Sequence, residues 1–114
     1  MSAPIDDIQC LVWYATEAEY IAARAVSDDG AQWHDTYSEW LAVAEKGELD
    51  YWAKGVATCR VNLDPSVFVP WCRSLQRKVN HESRAAYALF VFEEAKGASG
   101  GDVFKVHVRS KSDE

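Results

Sequence analysis

Proline, glycine and methionine are scarce in this 114-residue chain, with three, six and one of each. With so little Gly and Pro, and with 48% hydrophobic against 26% charged residues, the composition is that of a globular domain. Cysteine is equally sparse: Cys10, Cys59 and Cys72 are odd in number and widely spaced, which speaks against a disulfide framework or a zinc knuckle. No apolar run approaches the ~20 residues of a membrane helix; the longest is Ala85 to Phe92. The opening residues are acidic where a secretory leader is basic, and no apolar core follows them. These absences point to a cytoplasmic setting without membrane association. A phosphate-cradling loop is missing too, because Gly97, Gly100 and Gly101 precede a strand pattern, the wrong order for a dinucleotide fingerprint.

What the chain does have is aromatic mass and uneven charge. Five tryptophans concentrate large apolar area, as cores, interfaces and ligand walls do. The net charge of −6 weighs against broad nucleic-acid binding. Residues 1–55 hold eleven acids against three bases, a net of −8, and residues 56–114 hold seven against nine, a net of +2. Solubility accounts for such a split, and so does steering between an acidic and a mildly basic lobe.

Periodicity sets out the elements. The run Cys10 to Ala15 is apolar to both sides, as in a strand covered on both faces. Thr16 and Glu19 form a capping-box pattern that starts a helix running to about Ser27. Thr36 and Glu39 repeat it, with a stripe through Tyr37, Trp40, Leu41 and Ala44 to Leu49 and Tyr51 or Trp52. Gly47 costs that helix about 1 kcal/mol relative to Ala and marks a bend; Gly55 stops it. Val56 to Leu63 alternates, with Thr58, Arg60 and Asn62 on the face away from Cys59 and Val61. Asp64-Pro65 opens a third helix in which Pro70 is awkward. A fourth runs from Asn80 to about Gly97, apolar nearly all round, hence either the most buried helix or one covered by a second subunit. Val103 to Arg109 closes the pattern as a strand with Phe104, Val106 and Val108 inward.

The order β-αα-β-αα-β predicts one α+β domain over residues 1–109, with a disordered tail at 110–114. Two helices between strands return the chain to the end where it left the sheet. The expectation is a two-layer molecule with a small, mainly antiparallel three-stranded sheet and about four helices on one face. Dimerisation, by edge pairing or face stacking, would protect the exposed edges.

Several segments resemble an uncharacterised family of small bacterial cytosolic proteins. They are Val12-Trp13-Tyr14, Thr36 to Leu41, Val61 to Pro65, Phe68 with Trp71-Cys72, and Arg84-Ala85-Ala86-Tyr87, spanning residues 12–90. The resemblance implies a bacterial, cytosolic protein and carries no activity; the last strand lies outside it.

No catalytic set emerges from spacing. Cys72 falls on a buried stripe, nine residues before His81, and a buried thiol is inert. Arg73, Arg77 and Lys78 form a basic patch suited to weak nucleic-acid binding, but the aromatics fall on the opposite, buried side of that helix. The best constellation is the outward sheet face, where Trp13, Arg60, Lys105, His107 and Arg109 would receive a protein partner or a small anionic ligand. The reading is therefore a non-enzymatic interaction module acting as a homodimer, with no cofactor or metal. The competing reading is a small enzyme whose site is built from His34, His81 or His107 with a carboxylate.

Overall fold

The computed structural model describes residues 8–97 and 106–110. The elements follow one another as β1 (Gln9–Trp13), α1 (Glu17–Val26), a 3-10 turn (Gly30–Gln32), α2 (Tyr37–Ala53), β2 (Thr58–Asn62), α3 (Pro65–Ser74), α4 (His81–Gly97) and β3 (Val106–Arg109). Lys105 and the other residues of 98–105 lie outside the described residues, as do 111–114, the greater part of the expected tail.

Local chemistry explains the helix ends. Thr36 accepts the Glu39 amide at 3.1 Å while the Glu39 carboxylate accepts the Thr36 amide at 3.2 Å, a complete capping box. Thr16 accepts the Glu19 amide, but the Glu19 carboxylate takes the amide of Ala15 instead. Both α2 and α3 end in the same double-bonded turn. Val56 N–H donates to Tyr51 C=O after α2, and Arg77 N–H donates to Cys72 C=O after α3. The left-handed residue is Gly55 (φ 80°) in the first and Gln76 (φ 56°) in the second. Pro70 sits inside α3 without ending it.

The sheet is mixed, in the order β1-β2-β3. β1 pairs with β2 in parallel, Gln9 opposite Thr58 and Trp13 opposite Asn62, and β2 pairs with β3 antiparallel, Arg60 opposite His107. This corrects the expectation of a mainly antiparallel sheet. That expectation assumed each pair of helices lies as a hairpin on the sheet. Instead α1 and α3 pack on each other, and one long helix per half, α2 or α4, carries the sheet contacts. In the first half this makes a helical crossover, the ordinary route to a parallel pair; the second half, built alike, brings β3 back antiparallel.

The expected bare face is also covered. On one side Cys10, Val12, Cys59 and Val61 pack against Ala88 and Phe92 of α4. On the other, Trp13, Thr58 and Arg60 meet Trp40, Trp52 and Glu48 of α2. Thr58 is fully buried. Beyond the C-terminal ends of β1 and β2 sits the main core, Tyr14, Tyr20, Leu63, Phe68, Cys72 and Tyr87. Gly30 closes that end tightly, because a Cβ there would run into the Arg24 carbonyl oxygen. Among the described residues α4 is the most buried helix, through Ser83, Arg84, Tyr87, Ala88 and Phe92, yet not all round: Leu89 and Phe90 are 54% and 44% exposed. Val108, expected inward, is largely exposed as well.

Candidate functional site

Trp13, Arg60 and Arg109 do come together, but around a residue the sequence pattern passed over. The Arg60 guanidinium lies 3.8 Å from the Trp13 ring centroid and forms a fork with the Glu48 carboxylate, at 2.8 and 2.7 Å. Arg109 approaches the same carboxylate at 3.6 Å and lies over the Trp52 ring. Glu48 is 3% exposed. Cations expected to await a ligand are thus held by an internal anion, and the surface they form is a joint between β2, β3 and α2. His107 is the register partner of Arg60. A signal for Glu48 was present: positions 40, 44, 48 and 52 lie one turn apart on one helix face, and Trp40 and Trp52 mark that face as inward.

The open feature is elsewhere. A groove of about 550 Å³ runs along the whole of Gln9 to Tyr14, the outer edge of the sheet, a volume typical of ligand sites. Trp40, Ala44, Gly47 and Tyr51 of α2 form one wall, and His81, Arg84 and Ala85 of α4 form the other. Ala44 and Gly47 leave the space. A Cβ at Gly47 would touch nothing within 4 Å, and α2 runs unbroken through it, so Gly47 shapes a wall where a bend was expected.

Backbone groups complete the edge. Gln9 N–H donates to Ala57 C=O at 2.9 Å and Trp13 C=O accepts Leu63 N–H at 3.0 Å, so these residues turn toward β2. Strand alternation turns Val12 the other way, aiming its N–H and C=O into the groove. Tyr37 Oη donates to Tyr14 C=O at 2.7 Å and closes the edge at that end.

Tyr14, Tyr20, Trp33 and Trp40 crowd the closed end, with ring centroids 5.1 to 5.7 Å apart. Burial pushes the Tyr14 phenol well above its ordinary value and raises that of Tyr20. Arg84 forks onto Asp29 at 2.9 and 2.8 Å and lies 4.7 Å from the Trp33 centroid. Its hydrogen bonds hold the Asp29 carboxyl down to about 2.

The groove is lined by His34, His81 and Arg84 but, among the described residues, by no Asp or Glu. Burial pushes the Cys72 thiol up, and a hydrogen bond with Ser83 only partly offsets this. Among the described residues no three His, Cys, Asp or Glu side chains group as metal ligands, and no helix is long and apolar enough to cross a membrane. The basic patch differs from expectation. Arg77 lies over Trp71, which is only half-buried, so basic and aromatic groups share that side of α3. No family model, curated protein or solved structure matches the chain.

Proposed function

We propose that this chain is a non-enzymatic interaction module whose working surface is the groove along β1, and that it takes up an extended stretch of polypeptide there by strand addition. The observation that carries this reading is the edge itself: Val12 presents an N–H and a C=O between a largely apolar wall from α2 and a mixed one, His81, Arg84 and Ala85, from α4. An added strand would bond to Val12 and turn alternate side chains toward Ala44 and Gly47 on one side and Ala85 and His81 on the other.

A homodimer is the second reading, favoured by the same strand. Two β1 strands running antiparallel about Val12 would exchange both of its hydrogen bonds and join two sheets into one of six strands. Val43, one turn before Gly47, and Leu89, one turn after Ala85, are exposed apolar residues on the two lips of the groove. Three cysteines, odd in number and widely spaced in sequence, suit a reducing, cytosolic setting, and the resemblance over residues 12–90 suits a bacterial one.

Selection of linear heptapeptides on the full chain tests the proposal. Enriched peptides should slow hydrogen exchange at the Val12 amide and lose at least tenfold in affinity for Gly47→Trp, whose ring fills the groove. Absence of enrichment, or peptides indifferent to Gly47→Trp, would overturn it. Light scattering decides the dimer: a mass twice 12.8 kDa that falls by half in Gly47→Trp assigns the edge to a second copy.

A further inference from the structure

We propose a second docking surface on the outer side of α3 and α4, and that its partner is an amphipathic helix with acidic residues beside its apolar stripe. α3 is apolar on two sides. Phe68 and Cys72 are spent on the core, yet Val67 and Leu75 are each 53% exposed and flank half-buried Trp71. The three are spaced i, i+4, i+8, a slanting line about 12 Å long that ends at Leu75, the C-cap of α3. Phe90 of α4 extends the line sideways, its ring 5.7 Å from Trp71. An exposed apolar strip of this kind marks an interaction site more often than chance.

The rim defines the partner. Arg73, Arg77 and Lys78 border the strip in a segment, 73–78, that contains no acid. The turn at Gln76 folds the chain back so that Arg77 stands 5.8 Å from the Trp71 ring. None of these three cations forms an ion pair among the described residues, whereas Arg24, Arg60, Arg84 and Arg109 each do. Glu93 and Glu94 follow Phe90 by one turn, so the positive side is the α3 side and a partner's acids belong there. The spacing of the strip matches the apolar stripe of a helix laid alongside. Phe68, Tyr87, Phe90 and Arg77 already crowd the Trp71 ring, which leaves little of it for the base stacking that single-stranded nucleic acid requires.

The probe is a stapled, fluorescein-labelled helix with Leu at i, i+4 and i+8 and three Glu on one flank, titrated against the full chain by anisotropy. Micromolar binding is expected, at least tenfold weaker for Leu75→Glu and for Arg77→Glu, and at least tenfold weaker when the probe's Glu are changed to Lys. Gly47→Trp should leave it unchanged, which separates this surface from the β1 groove. Both test positions are exposed, and circular dichroism verifies that each variant is folded. No binding, equal binding of the acidic and basic probes, or loss of binding in Gly47→Trp would overturn the proposal. So would a dT12 oligonucleotide or phosphatidylserine vesicles binding more tightly than the acidic helix, with the same sensitivity to Arg77→Glu.

Discussion

The two faces of the sheet are held by different physics. Against α4, contact is nearly dry: Cys59, Val61, Ala88 and Phe92, with Cys10 and Val12 at the border. Against α2, contact is directional: the Glu48 fork with Arg60, the approach of Arg109, and a bond from Trp52 Nε1 to Thr58 Oγ1 at 2.9 Å. Apolar packing rewards closeness and fills space. Hydrogen bonds and ion pairs fix register while tolerating gaps beside them. The α2 side can therefore be held in register at Glu48 and Trp52 and still stand open at Ala44 and Gly47.

Breaking the dry face should cost most. Phe92→Ala removes a large ring from the packed α4 layer and should destabilise by about 3–5 kcal/mol, read from the midpoint of denaturant unfolding. Glu48→Ala should follow, at about 3 kcal/mol, because it leaves Arg60 and Arg109 half-buried without their counter-charge. The sharper version is Glu48→Met with Arg60→Leu, which converts the polar face to the other kind and should recover most of that loss in the same measurement. If Glu48→Ala alone proves harmless, the contrast between the faces is wrong.

The exception on the α4 side is the Asp29–Arg84 fork, and pH isolates it. A carboxyl held down to about 2 binds its proton more weakly folded than unfolded. Its contribution is present above the ordinary Asp range and disappears as pH falls from about 4 through 2. Acid unfolding curves should lose on the order of 1–2 kcal/mol from this group, and Asp29→Asn should flatten that part of the curve. The smallest effect is a gain. Gly47→Ala should stabilise α2 by about 0.5–1 kcal/mol, since its Cβ enters open space; a loss would mean that the wall is tighter than its geometry shows.

Element by element, local rules carried far. Both threonine caps, the Asp64-Pro65 start, the Gly55 stop and all three strands were legible because each depends on residues within a few positions. What failed was non-local. Strand direction depends on how the chain crosses the sheet between strands, and nothing in the pattern says that α1 and α3 turn to each other. Both halves of the chain use one short and one long helix, yet β2 runs with β1 and β3 runs against β2, so helix count does not set direction. For the candidate site, the pattern sets Trp13, Arg60 and Arg109 on one sheet face, and they do lie near one another, but it reads the arginines as cations awaiting an anion from outside. The missing anion was Glu48, hidden because an apolar stripe is read by its apolar members. Leu49 was assigned inward beside it and is the one exposed.

The parallel register of β1 has a consequence for synthesis. The amide of Ala15 meets Oδ1 of Asn62 across a separation of 47 residues, so the first strand leaves the ribosome long before its only neighbour among the described strands. At ordinary translation rates that interval is about 2–10 s. Throughout it Cys10-Leu11-Val12-Trp13-Tyr14-Ala15 lacks its strand partner, and the side chains already made, Tyr20, Trp33 and Trp40, reach only Trp13 and Tyr14 at its far end. The nascent chain, more than the finished fold, is therefore the stage at which this strand is open to wrong pairing.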